Sequence, residues 1–130
     1  MTSREAKRRF LESPAFAVVG ASRDRRKFGN RVLRKYLQHG LEVYPVNPRE
    51  AEIEGLQVYS SLAQLPDRVH SLSIVTPPEV AEEIVRQAIA RGIPNLWMQP
   101  GAESPTAVRL AREAGLNVIA DGSCILVELG

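Results

Sequence analysis

The chain has 130 residues, enough for one domain around a single sheet or bundle. Its hydrophobic fraction of 44% and charged fraction of 25% exclude disordered, coiled-coil and collagen-like classes. The net charge of +2 conceals a split: residues 1–50 hold 12 Lys/Arg against 5 Asp/Glu, and residues 51–130 hold 5 against 10. A basic half on a nearly neutral chain points to a local anionic partner and speaks against nucleic acid.

One cysteine, Cys124, excludes an internal disulfide framework, and no Cys/His cluster has zinc-ligand spacing, so no metal is expected. Residues 1–10 carry charge with no apolar stretch behind it, unlike a signal peptide. No apolar run approaches the ~18 residues of a membrane span, so no membrane is expected and the implied setting is cytoplasmic.

In chain order, residues 2–11 read as a short helix stopped by Ser13-Pro14. Residues 15–19 are a compact apolar run ending at Gly20, as in a parallel strand buried on both faces. Residues 28–38 read as a helix with Val32, Leu33, Tyr36 and Leu37 on its apolar stripe and Arg31, Arg34, Lys35 and Gln38 on a solvated face. A second strand spans 41–46 and closes at Asn47-Pro48. Residues 49–55 are polar and read as loop, 56–59 as a short strand, and 61–65 as a weak helical turn. Residues 71–75 form a strand ended by Thr76-Pro77-Pro78. The segment 79–91 is the clearest helix, with Val80, Ile84, Val85, Ala88 and Ile89 on one side. A strand at 95–98, a helix at 105–114 capped by Ser104, and a strand at 117–120 complete the series.

Alternating strands and helices imply parallel strands with right-handed crossovers. The expected fold is α/β: one doubly wound, mostly parallel, Rossmann-like sheet over residues 1–130, with 1–13 as an N-terminal helical extension. Ligands bind such sheets beyond the carboxyl ends of the strands, where strand order reverses.

The first strand runs into Gly20-Ala21-Ser22-Arg23-Asp24-Arg25-Arg26-Lys27-Phe28-Gly29 and then a helix. Gly20 permits close backbone approach, Ser22 offers a hydroxyl, and the helix start at Phe28-Gly29 presents unpaired N–H groups at a positive dipole end. Arg23, Arg25, Arg26 and Lys27 flank it, so the loop suits phosphate. A dinucleotide is the first candidate, and an NAD(P)-binding regulatory protein or oxidoreductase fragment stands as the alternative. Against it, the G-x-G-x-x-G spacing is missing, and the second strand ends in Val46-Asn47-Pro48 where a ribose-binding acid belongs. Val46-Asn47-Pro48 and Thr76-Pro77-Pro78 are rigid rims with few donors and flat apolar rings, suited to an adenine.

Val19-Gly20-Ala21-Ser22, Tyr44-Pro45-Val46-Asn47-Pro48, Val75-Thr76-Pro77-Pro78 and Leu96-Trp97-Met98-Gln99-Pro100-Gly101 follow one another as in the stand-alone CoA-binding proteins. The chain resembles that family, which is similar to the amino-terminal domain of the succinyl-CoA synthetase alpha subunit. The resemblance implies that coenzyme A or an acyl-CoA is the ligand. It implies that Gly20, Ala21, Ser22 and Lys27 hold phosphates and that Val46, Asn47 and Pro48 line the adenosine. Thr76, Pro77 and Pro78 would run along the nucleotide or pantetheine, and Gln99 and Gly101 would close the cleft. One departure is Asp121-Gly122-Ser123-Cys124, where many relatives carry Asp-x-Cys-Pro.

His39 and His70 fall at the opposite end of the sheet from these loops, and no Ser/His/acid order appears. The synthetase's phosphorylated histidine belongs to a second domain for which 130 residues leave no room. The expectation is therefore a non-catalytic CoA-binding module that serves a partner enzyme or works as a homodimer.

Overall fold

Residues Ala15–Val19 form β1, and all five are buried because helices cover both faces of the sheet they enter. The computed structural model describes residues 1–130. Five strands lie in the order β2-β1-β5-β6-β7, where β2 is Val43–Val46, β5 Val69–Ile74, β6 Asn95–Met98 and β7 Asn117–Ile119. Every neighbouring pair is parallel. The chain leaves β1 for β2 on one side and then returns to β5 on the other, so strand order reverses between β1 and β5.

Alternation along β1 divides the core. Ala15, Ala17 and Val19 pack with residues of α3 (Pro78–Arg91) and α4 (Pro105–Glu113). Phe16 and Val18 point the other way, to Phe10 of α1 (Ser3–Leu11), Val32, Leu33 and Tyr36 of α2 (Phe28–Gln38), and Ile125 of α5 (Ile125–Leu129). Phe10 meets Trp97 edge-on at 5.2 Å between ring centroids, which docks α1 under β6. Losing such a fully buried ring costs about 3–5 kcal/mol.

Local chemistry sets the helix ends. The Thr2 and Ser104 hydroxyls accept the N–H groups of Glu5 and Ala107 at the starts of α1 and α4. Gly92, at φ 79, closes α3 in the left-handed region. Three expected stripe residues, Leu37, Val80 and Ile89, are exposed instead. Leu37 follows the buried Tyr36 and is turned about 100° around the helix from it, outside the narrower stripe that touches the sheet.

Four segments differ from the sequence expectation, one of them β5, which begins at Val69, two residues before the expected start. Within the stretch read as loop, Glu52–Ile53 form β3, which pairs antiparallel with β4 (Leu56–Gln57), the first half of the strand expected at 56–59, and Tyr59 bridges back to Val46. β2 starts two residues late because the Leu41 N–H turns back to the Tyr36 carbonyl behind α2. The tail folds into α5, which reads from sequence as neither helix nor strand.

Register levels the strand ends. Val19 lies opposite both Val46 and Ile74, and Ile74 lies opposite Met98. Gly20, Asn47, Val75 and Gln99 therefore open four adjacent loops at one end of the sheet.

Candidate functional site

The switch point between β1 and β5 is closed by backbone contact. Gly20 has φ +94, and a Cβ there would fall 2.1 Å from the Val75 carbonyl oxygen. A Cβ on Gly29 would fall 2.1 Å from the carbonyl oxygen of Gly20 itself. The exit of β1, the start of α2 and the exit of β5 can interlock only because these two side chains are absent. The Gly20 N–H donates to Val46 O at 3.1 Å, and the Val75 N–H to Val19 O at 2.8 Å. Ala21 is fully buried, and its carbonyl accepts the Asn47 amide at 2.8 Å.

Beyond Ala21 the loop is tightly wound. The Ser22 hydroxyl accepts the Asp24 N–H at 3.1 Å. The Asp24 carboxylate accepts the Arg26 N–H at 3.0 Å and its guanidinium at 3.1 and 3.0 Å. The Arg26 side chain and then its backbone N–H hold the Asp24 carboxyl down to about 2. The Lys27 N–H returns to Asp24 O at 3.0 Å, and α2 begins at Phe28. Lys27 provides no side-chain cap, so the first N–H groups of α2 meet no side-chain acceptor, unlike those of α1 and α4. Lys27 is also the one cation of the 23–27 loop outside any ion pair. An uncapped helix start beside an unpaired ammonium leaves N–H donors and positive charge that an anion can satisfy.

Asn30, fully buried on the first turn of α2, ties the loop to its surroundings. Its amide donates to Ser22 O at 2.8 Å and to the Glu54 carboxylate at 3.2 Å. Its carbonyl oxygen accepts Arg34 Nε at 2.7 Å, and the Arg34 guanidinium also reaches Arg25 O at 3.0 Å. Arg34 is thus a brace for the loop and not a solvated side chain as the sequence suggests. The i, i+4 spacing to Asn30 was its one available signal. Glu54, at the hairpin turn, is the single non-glycine residue with positive φ (50°). It also pairs with Arg25 at 3.4 Å, while Glu50 pairs with Arg23 at 3.6 Å. An open cavity of about 440 Å³ lies between Arg23 and residues 51–54 of the hairpin.

The other expected site residues divide. Thr76 is drawn to the switch point, its methyl 3.2 Å from where a Gly20 Cβ would stand. Pro77 and Pro78 form the exposed start of α3, and Pro48 the exposed end of the β2 loop. Val46 is buried, and Asn47 spends its side chain on Ala21 O and on the Arg49 N–H at 2.8 Å. Gly101 is exposed, at φ 95, and its N–H donates to Glu103 at 2.7 Å. Gln99 does not line open space: it is fully buried, its Oε1 accepts the Ile125 N–H at 2.9 Å, and its Nε2 has no partner. His39 caps the far end of α2 and His70 sits at the start of β5, both exposed and away from these loops.

A parallel sheet with its order reversed at β1/β5, and a glycine-pinned loop feeding an uncapped helix there, defines a Rossmann-like α/β domain. Within that class the chain belongs to the CoA-binding domain family, whose model matches residues 14–130. It is 33% identical over 121 residues to the alpha subunit of ADP-forming acetate–CoA ligase II from Pyrococcus furiosus, covering 85% of this chain and 26% of that subunit. The chain therefore spans about a quarter of that relative. It is 30% identical to the uncharacterized protein YneT of Bacillus subtilis, covering 95% of this chain and 90% of that protein. A solved structure of a conserved hypothetical protein from Pyrococcus furiosus superposes with TM-score 0.84 at 43% identity, over 88% of this chain and 97% of the other. No helix is long and apolar enough to cross a membrane.

Proposed function

We propose that this protein binds coenzyme A or an acyl-CoA, with the ligand's phosphates at the β1–α2 loop, and catalyses no reaction alone. The observation that carries this is the uncapped start of α2 beside the unpaired Lys27, at the switch point of a chain from the CoA-binding domain family. Gly20, Ala21, Ser22, Phe28 and Gly29 shape the phosphate seat, with Arg26 and Lys27 as its charged flank. Val46, Asn47 and Pro48 border the adenosine. Thr76, Pro77 and Pro78 run along the nucleotide or pantetheine, with Gly101 at the far rim and Gln99 beneath it.

A dinucleotide fits less well. Glu42 lies before β2 and is held by Tyr44 at 2.6 Å and by Arg68 at 3.3 Å, far from the loop. No acid closes β2, whose end passes through Asn47 to Pro48, where a dinucleotide site places the carboxylate for its ribose diol. The reacting group that an acyl-CoA needs would come from a partner enzyme or a second copy of this chain. The ligase subunit among the relatives supports that division of labour. Calorimetric titration with CoA, dephospho-CoA, NAD and NADP tests the reading. CoA should bind most tightly, and tighter binding of either nicotinamide dinucleotide would replace this assignment.

A further inference from the structure

The basic loop is not a field of free charge. Arg23, Arg25 and Arg26 are paired with Glu50, Glu54 and Asp24, and two of those three acids come from outside the loop, from the hairpin segment. Arg23 and Arg25 keep about two-thirds of their side-chain surface exposed, while Glu50 and Glu54 are 31% and 22% exposed. The acids are therefore the fixed members of each pair and the arginines the movable ones. Glu54 is fixed further by the buried Asn30 amide. At 3.4 and 3.6 Å these are loose, solvated pairs that a stronger anion can displace.

We infer that Glu50 and Glu54 are specificity-determining residues of the phosphate site: built-in counter-anions that Arg23 and Arg25 must leave to reach a ligand. This rests on the CoA reading above but is separable from it. A carboxylate on the ligand would gain nothing by the exchange, because it replaces like with like. A phosphate group carries more charge and more acceptor oxygens, so it gains. The pairs thus filter out weakly charged anions and lower the affinity for every anion by what each pair is worth. Glu52 provides the internal control, since it lies on the same hairpin and forms no ion pair.

The test measures binding of CoA and, separately, inorganic pyrophosphate to wild type and to Glu50→Gln, Glu54→Gln and Glu52→Gln. Glutamine at 54 can still accept the Asn30 hydrogen bond while the charge is lost. Glu50→Gln and Glu54→Gln should each tighten both ligands by up to about fivefold, and Glu52→Gln by clearly less. Acetate should gain a detectable competition with pyrophosphate in the Glu50→Gln/Glu54→Gln double variant and show none in wild type. Equal tightening by all three single variants would reduce the effect to overall charge and overturn the inference. Unchanged or weaker binding would also overturn it, and Glu50→Gln at an outlying pair decides should Glu54→Gln fail to fold. If CoA does not bind wild type but pyrophosphate responds as described, the CoA assignment fails and the counter-anion role stands.

Discussion

The carbonyl oxygen of Gly20 occupies the place where a side chain on Gly29 would have to begin, 2.1 Å from the position of its Cβ. Helix α2 can therefore approach β1 closely enough to aim its uncapped start at the switch point. Gly20→Ala adds a forbidden φ to a clash with the Val75 carbonyl, both against backbone that cannot step aside. It should destabilise the fold by about 2–4 kcal/mol, and Gly29→Ala by about 1–3 kcal/mol. Gly101 has nearly the same φ as Gly20 but open space around it, so Gly101→Ala should cost about 1 kcal/mol. Urea denaturation of the three variants checks this order.

Lys27 and Arg34 serve the loop differently. Lys27→Ala removes the unpaired cation and should weaken CoA about tenfold, with little change in stability. Arg34→Ala frees Asn30 and the Arg25 carbonyl, so it should lower stability by about 1 kcal/mol and weaken CoA only a fewfold. Arg31→Ala, on the exposed face, should change neither. Calorimetry together with thermal melts separates the three.

In acid, Asp24 gives a signed expectation. Its carboxyl titrates at about 2 in the folded chain, against an ordinary value of 3.8. A depressed folded value means its contribution is complete above about pH 4 and fades as pH falls toward 2. Asp121, held low by Ser123, its backbone N–H, Ser3 and Lys7, acts in the same direction. The loss of stability on acidification should be shallower in Asp24→Asn than in wild type, as measured by the pH dependence of the urea midpoint. Parallel curves would remove Asp24 as a contributor.

Inside the core, the Tyr36 hydroxyl and Ser73 Oγ meet at 2.6 Å between α2 and β5. Burial pushes the Tyr36 phenol well above its usual range, so it stays neutral. Tyr36→Phe strands the Ser73 hydroxyl and should cost about 1–2 kcal/mol. Adding Ser73→Ala should recover part of that loss, a non-additivity that a double-mutant cycle reads directly.

Much of this architecture was legible from the chain. Ala15–Val19, Phe28–Gln38 and Asn95–Met98 carry strong apolar periods between clear stops, and they fold at those residues. Of the β3–β4 hairpin, β4 was legible as part of the strand read at 56–59, whereas β3 was not, because a two-residue strand holds no period and Glu52 and Glu54 read as loop charge. Nor was α5, where Cys124 offers no capping signal and Ile125 is buried only through its contacts in the tertiary fold. The charge split along the sequence singled out the 23–27 loop. It could not show that Glu50 and Glu54, 27 and 29 residues beyond their partners, return to neutralise Arg23 and Arg25.

The most direct measurement is an amide chemical-shift titration of the protein with CoA. Binding as described moves the N–H signals of Ser22 and of Lys27, Phe28 and Gly29 first and furthest, with smaller shifts at Asn47 and Thr76. Signals from the sheet's opposite end, at His39 and His70, stay fixed. Saturation by CoA with the residue 22–29 signals unmoved, or no shift anywhere at millimolar CoA, would contradict a phosphate seat at the start of α2.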